Sequence, residues 1–456
     1  MLRRSSREYR IGGGAVMWAK YQAVGLMSLF LACACLNGRL ISVADQAAEV
    51  YGSPTGTKPF APNVYRDRRQ HLMNELKDGV AVLYSAASLA SGQRQDTDFA
   101  YLTGLIDEVG AILVLAPQET LYRETLFLQP RNPDLERWEG TRLSLGQAIE
   151  QRTGFERVRR IDQSFDFFIT ALVAHAGKLQ FLGPIVSPDK PIPPELTLYI
   201  KLAARIPGTV VQNRSSILPK MRSVKTSSEL ELMRAAVNST KDGLLAAMRH
   251  VRPGMREYEL KDIIENTFRK AGARGLSFAS IVGTGRNAAI IHYRTGDTII
   301  ADDDLVLCDV GAEYQHYAGD LTRTFPGNGK FTPKQRELYE LVLRAQEAAM
   351  AKLRAGVYLD AVQTAADAVI RKAGYGDNFR HVIGHFVGLD VHDTGDYFTP
   401  LPVGAVVTIE PGIYLPVEGI GIRIEDEFLV TETGFVHLSE GLPRTVEEIE
   451  RFMANR

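Results

Sequence analysis

Apolar positions recur along this 456-residue chain with two periods, about 3.6 and 2, and the switches between them outline the fold. From Pro59 to Leu218, YRDRRQHLMNEL (65–76) reads as an amphipathic helix. GVAVLYSAA (79–87) and AILVLAP (111–117) read as short apolar strands. Helical and strand patterns alternate through this stretch, which predicts an α/β domain over residues 59–218.

A second region, 226–456, begins with TSSE (226–229), a capping-box pattern. Leu230, Met233, Val237, Leu244 and Met248 then share one helical stripe, which Arg252-Pro253-Gly254 closes. Another helix fits Tyr258–Ala271. β-type sequence follows in FASIVGTG (278–285), AIIHYR (289–294), DLVLCDVGAEY (304–314) and AGDLTRTF (318–325). Thr332, Pro333 and Gln335 open a third helix, with Leu338, Leu341, Val342 and Ala345 on its inner face. A fourth helix covers Leu359–Lys372, and VVTIEPGIYL (406–415) and GIRIEDEFLV (421–430) supply more strands. The order helix, helix, strands thus occurs twice. Two such halves predict an α+β fold: a curved sheet backed by helices, with a site between the halves that draws on both strand sets.

The N-terminus carries a different signal. AVGLMSLFLACACL (23–36) is uncharged and apolar, short for a membrane span but suited to the core of a signal peptide. Basic residues precede it and Ser42-Val43-Ala44 offers a cleavage site. Residues 1–44 are therefore read as a signal peptide, with Met17 as an alternative start and an anchor helix as the alternative role. Cleavage would make the protein periplasmic or secreted, with no stable membrane span; without a signal it would be cytoplasmic. YGSPTGTKPFAPN (51–63) separates this leader from the first folded region.

Composition narrows the partners. With 53 basic and 54 acidic residues the formal net charge is -1, which gives no reason to expect nucleic acid. Three cysteines, Cys33, Cys35 and Cys308, cannot form a disulfide framework. Cys308, in LVLCDV, reads as a buried small hydrophobe.

Only nine histidines are present, yet His381, His385 and His392 fall within HVIGHFVGLDVHDTG. Four acids sit in strongly apolar strand patterns: Asp309 and Asp320 on one predicted hairpin, Glu410 in VVTIEPG and Glu425 in GIRIEDEF. A bare buried carboxylate is costly and must be protonated, paired or metal-bound. Each acid taken singly fits a strand end or a salt bridge. Four of them in matching strands of both halves, beside a histidine cluster, suit two divalent cations better. No cysteine pair at ligand spacing supports a structural zinc site, and there is neither a Walker loop nor a G-x-S-x-G elbow.

HVIGHFVGLDVHDTG, DVGAEYQHYAGDLTRTFP, TIEPGIY and GIGIRIEDE together resemble the metal-dependent proline peptidases of the pita-bread fold, aminopeptidase P most closely. TDFAYLTG (97–104) and LERWEGTR (135–142) resemble that family's N-terminal domain. The resemblance implies a C-terminal pita-bread domain behind an N-terminal α/β domain. It implies Asp309, Asp320, His385, Glu410 and Glu425 as metal ligands, with Asp320 and Glu425 shared between two ions. Those ions would be manganese, with cobalt or zinc also compatible. His292, His381 and His392 match the family's outer histidines around the substrate, and Arg423 matches an arginine beside the last ligand. Glu410 would shuttle a proton, and His292 or His392 would help to stabilise an oxyanion.

The implied substrates are peptides with proline second. That scissile bond is a tertiary amide without an N–H, and proline restricts its neighbour's conformation. A homo-oligomer, dimer or tetramer, fits the family. Two departures stand out: Ala100 replaces a large aromatic, and the segment between His392 and Glu410 is short. A proline dipeptidase is the nearest alternative, since it shares the ligand set. A non-catalytic pita-bread binding module is the alternative from another class, but such relatives lose the acids that are all present here. His71, His175, His250, His316 and His437 read as structural or solvent-exposed.

Overall fold

The computed structural model describes residues 60–89, 94–142 and 144–455; the expected leader, with Cys33 and Cys35, lies outside them. Period-2 alternation builds the first sheet. Strands Ala81–Tyr84, Ile112–Leu115, Glu124–Leu128 and Val158–Arg160 lie side by side in that order, antiparallel except for the last pair. Val82, Val114 and Phe127 pack on one face with Phe168, Ile169 and Tyr199 of the helices Ser164–Ala176 and Pro194–Ala203. Ala81, Leu83, Leu113 and Leu115 join the other face's core with Leu72 and Leu76 of the helix Pro62–Leu76. A parallel bridge from Val80 to Leu179 ties this sheet to the parallel pair Lys178–Phe181 and Val210–Asn213.

The helix Pro62–Leu76 departs from a simple amphipathic reading. Arg68 and Arg69 lie on its buried face. Arg69 makes a two-pronged pair with Glu124, at 2.8 and 3.2 Å, and lies over the Phe155 ring. Arg68 meets Glu229, at the start of the helix Ser227–His250, at 3.1 Å. Planar, fork-shaped guanidinium groups can be buried when bidentate and stacked contacts satisfy them.

After residue 226 the order helix, helix, strands occurs twice, as expected. Helices Ser227–His250 and Glu257–Lys270 precede the antiparallel sheet of Leu321–Pro326, Leu305–Val310 and Ile281–Thr284. Helices Pro333–Met350 and Leu359–Lys372 precede the sheet of Val406–Ile409, Asp426–Val430 and Phe435–His437, with the hairpin Gly412–Leu415/Ile420–Arg423 beside it. Reciprocal capping boxes at Thr226/Glu229 and Thr332/Gln335 start the leading helix of each half. Met233, Val237, Leu244 and Met248 are fully buried, whereas Leu230 is only partly so.

The two halves meet at a seam of threonines. Thr322 lies opposite Asp309 in its own sheet and forms an isolated antiparallel bridge to Glu425 on its other side. The Glu425 N–H donates to the Thr322 carbonyl at 3.1 Å, and the Thr322 hydroxyl donates to the Glu425 carboxylate at 2.8 Å. Thr324 exchanges hydrogen bonds with the backbone of Arg423 through its hydroxyl. Arg323, fully buried, pairs with Asp426 at 2.7 Å and donates to the Glu425 carbonyl. Acids from separate halves are thereby brought side by side.

One expected strand is absent. AIIHYR does not pair; a 3-10 turn, Gly285–Ala289, leads into a loop. The outer edge of Ile281–Thr284 explains why. Its Val282 N–H donates to the Thr295 hydroxyl and its Thr284 N–H to the Glu257 carboxylate, so side chains already satisfy the donors a new strand would need.

A buried ionic clamp fixes the histidine-rich segment. Asp393 accepts from Arg222 at 2.5 Å and from Lys225 at 2.8 Å, and Arg222 also reaches Asp98 and Asp390. Burial pushes the Asp393 carboxyl up, but Lys225 and Arg222 outweigh it and hold it below the usual carboxylate range. A depressed carboxyl contributes stability that is present above the unfolded value, about 3.9, and is lost as pH falls through the lower folded value. Asp393→Asn leaves two buried cations under-compensated. It should therefore cost about 3–5 kcal/mol in urea unfolding at pH 7, and its deficit against the wild type should shrink only below about pH 4.

Candidate metal centre

The backbone delivers each acid to one point. Asp309 ends an apolar strand run and Asp320 immediately precedes Leu321–Pro326, the strand paired with it. Glu410 follows Val406–Ile409, and Glu425 precedes Asp426–Val430. The histidine segment runs alongside Val406–Ile409 as a further short pairing. Thr408 N–H donates to the His385 carbonyl, Glu410 N–H to the Ile383 carbonyl and Val387 N–H to the Val406 carbonyl. Gly384 makes that approach feasible, because a Cβ there would lie 2.1 Å from the Thr408 carbonyl oxygen.

His385 is oriented by its own main chain. Its Nδ1 lies 3.0 Å from the Phe386 carbonyl oxygen, an acceptor only, so Nδ1 carries the proton. Nε2 then presents a lone pair toward Asp320 Oδ2 at 3.5 Å and Glu410 Oε1 at 3.8 Å. Lone pairs facing carboxylates repel unless a proton or a cation lies among them. Asp320, His385 and Glu425 each offer a ligand atom within 4.8 Å of the other two, and all three residues are buried. Asp309 Oδ1 and Asp320 Oδ1 are buried with no hydrogen-bond partner among the described residues. Carboxylate oxygens, one imidazole lone pair and orphaned buried oxygens fit a divalent cation.

The electrostatics run the same way. Burial, then Asp309, Glu410 and Glu427, push Asp320 well above the usual carboxylate range. Burial, then Asp320, Glu410 and Asp309, do the same to Glu425. Glu410 is pushed up to about 7 by burial, against the opposing pull of His385 and Arg423. Arg423 is the one guanidinium committed to these acids: it pairs with Asp309 through Nη2, and its Nη1 donates to the Tyr414 hydroxyl at 2.8 Å. Burial works against its charge, but Tyr414, Asp309 and Glu410 outweigh that and hold its pKa well above the ordinary value.

The other predicted residues line the same cavity, which has a volume of about 780 Å³. His381 has both ring nitrogens engaged, Nδ1 by the Val382 carbonyl and Nε2 by the Tyr414 hydroxyl. Burial and then Arg423 push it down to about 4, so it is neutral. His292 and His392 are exposed on the cavity wall, and the His392 ring lies 4.2 Å from that of His385. Burial, then His385 and His292, lower the His392 pKa. Cys308 is fully buried, as expected. His316 sits at the hairpin tip with φ 72° and lies 3.5 Å from Glu313.

Three residues escaped the sequence reading. Tyr414 links His381 to Arg423. Glu427, fully buried and pushed up to about 8 by burial, accepts from the Asp320 N–H at 2.6 Å. Period-2 alternation through IEDEF could have revealed Glu427, since it places Glu425 and Glu427 on one face. Asp393, the centre of the clamp, was visible only as the neighbour of His392.

Comparison with known proteins agrees with this geometry. The profile of metallopeptidase family M24 matches residues 231–432, and that of the aminopeptidase P N-terminal domain matches residues 65–179. The chain is 37% identical over 395 residues to the Xaa-Pro aminopeptidase of Haemophilus influenzae, covering 79% of this chain and 88% of that protein. The solved structure of Pseudomonas aeruginosa aminopeptidase PepP superposes with a TM-score of 0.78 at 32% identity, covering 88% of this chain and 99% of the other. An Xaa-Pro dipeptidase of Pyrococcus furiosus is 38% identical over 228 residues, but the match covers only 49% of this chain and 65% of that protein.

Raised carboxyl values carry a stability consequence. Acids whose folded pKa exceeds the unfolded one give stability that is complete below the unfolded value, about 4.3, and is lost as pH rises through the folded value. The metal-free protein should therefore lose thermal stability between about pH 4.3 and pH 7, where Glu410 titrates. Added Mn²⁺ should raise the melting temperature more at pH 8 than at pH 5.5. Equal gains at both pH values would contradict this electrostatic description.

Proposed function

The chain belongs to metallopeptidase family M24, and from that membership and the geometry around His385 we infer how its residues carry out hydrolysis. It is a metal-dependent Xaa-Pro aminopeptidase. Likeness to aminopeptidases extends over both regions of the chain, whereas likeness to the dipeptidase stops at about half of it, which favours the aminopeptidase.

In our reading Asp309, Asp320, His385, Glu410 and Glu425 would hold two divalent ions. The carboxylate-rich donor set favours manganese; the imidazole leaves cobalt and zinc compatible. When bound, the ions would lower the pKa of a water toward neutrality and polarise the substrate carbonyl. The observation that carries this reading is the orientation of His385: its protonated Nδ1 is tied to Phe386, and its Nε2 lone pair faces Asp320 and Glu410.

Glu410 takes a proton from the attacking water and delivers it to the departing proline nitrogen. Water oxygen becomes bonded to the carbonyl carbon, the carbon–nitrogen bond breaks, and the products are a free amino acid and a peptide beginning with proline. His292 and His392 donate toward the carbonyl oxygen as negative charge develops there. The lowered pKa of His392 keeps it a neutral donor. Arg423, Tyr414 and His381 form a hydrogen-bonded chain that positions Asp309. No step requires an amide N–H on the residue after the scissile bond, so proline is admissible there.

A tripeptide with proline second should be cleaved after its first residue in the presence of Mn²⁺, and faster than an Xaa-Pro dipeptide. Glu410→Gln should lower kcat by about 10²- to 10⁴-fold, and chelation should abolish turnover. Cleavage that survives both the substitution and chelation would defeat this chemistry; faster cleavage of the dipeptide would transfer the assignment to a dipeptidase.

A further inference from the structure

We propose that Arg294 is a carboxylate anchor that binds the C-terminal carboxylate of a short peptide substrate, so that the enzyme favours free-acid peptides of a few residues. The inference rests on the aminopeptidase reading and deepens it by naming the preferred substrate form.

Charge in the cavity is unevenly distributed. Among the described residues, the two arginines lining it are Arg423 and Arg294. Arg423 is fully occupied by Asp309, Tyr414 and Thr322. Arg294 is exposed, and among the described residues it has neither a hydrogen-bond nor an ion-pair partner. Asp309, Asp320, Glu410 and Glu425 line the same space. With those acids committed to the ions of the proposed centre, a zwitterionic peptide entering the cavity meets one uncommitted guanidinium for its carboxylate.

The backbone around Arg294 is held from both sides. The Tyr293 hydroxyl donates to Glu257 at 2.8 Å and accepts from Asn287 at 2.9 Å. The Thr295 hydroxyl donates to the Ser280 carbonyl at 3.0 Å and accepts from the Val282 N–H at 2.8 Å. The same hydrogen bonds that prevent AIIHYR from forming a strand thus fix the residues flanking Arg294. A planar guanidinium on a fixed backbone suits two-pronged recognition of a carboxylate. Away from the acids and the four histidines the wall is apolar or aromatic, including Phe278, Ile281, Ile291, Val382 and Tyr397, so Arg294 is the uncommitted guanidinium on that side.

The test compares two tripeptides of the form Ala-Pro-Ala, one with a free C-terminal carboxylate and one amidated, on the manganese-loaded enzyme. The quantity read is the ratio of their kcat/KM values within one preparation, which is independent of the fraction of active enzyme. For the wild type the free acid should lead by about three- to five-fold, the range of an exposed charge pair. The difference should lie in KM, because the contact is the same in ground and transition states. Arg294→Gln should bring the ratio to one, Arg294→Lys should restore part of it, and high salt should compress the wild-type ratio. A wild-type ratio of one, or a ratio unchanged in Arg294→Gln, overturns the anchor while leaving the peptidase reading intact. A wild type that cleaves neither peptide overturns that reading and the anchor with it.

Discussion

Like charge confined in a dry space is the constraint on which this structure depends. Asp309, Asp320, Glu410 and Glu425 converge from four separate strand ends, and Arg423 is the single guanidinium placed among them. Ionised together without further positive charge they would repel strongly at low effective dielectric. Two responses are open to such a cluster: it can take up protons, which the raised values of Asp320, Glu410 and Glu425 express, or it can take up cations. The fixed tautomer of His385 suits the second response, because it leaves the Nε2 lone pair, a metal-ligand atom, directed at Asp320 and Glu410. The proposed metallopeptidase chemistry follows from how this electrostatic conflict is resolved.

The seam between the halves creates the conflict and holds it in place. Thr322 sits between Asp309 and Glu425, bonded to the second through both backbone and hydroxyl. Arg323 and Gln346 bind Asp426 on the side away from the cavity. Alternation along the strand therefore directs Glu425 and Glu427 inward and sends Asp426 to a buried ion pair. Similar discipline operates at the cavity wall, where Glu257 and Thr295 hold a loop open so that His292 and Arg294 face the same space.

Much of this was legible in the sequence because its physics is local. Capping boxes at Thr226 and Thr332 marked helix starts, and acids inside apolar strand runs marked the candidate centre. Repetition of element order exposed the two halves. What remained hidden depends on partners distant in sequence. Arg68 and Arg69 looked like the polar face of an amphipathic helix, and only Glu229 and Glu124, far along the chain, explain their burial. AIIHYR carried strand-like composition, but side chains from Glu257 and Thr295 had already taken the edge it would have joined. Tyr414 and Asp393 carry no local mark at all; their significance lies in Arg423, His381, Arg222 and Lys225.

The central claim is that the acids and His385 enclose a pair of cations. Anomalous diffraction recorded at the manganese absorption edge, from crystals grown with Mn²⁺, tests it most directly. The account predicts two peaks a few ångströms apart, with His385 beside one and Asp309 beside the other, and Asp320 and Glu425 between them. A single peak, or none among these five residues, would contradict it.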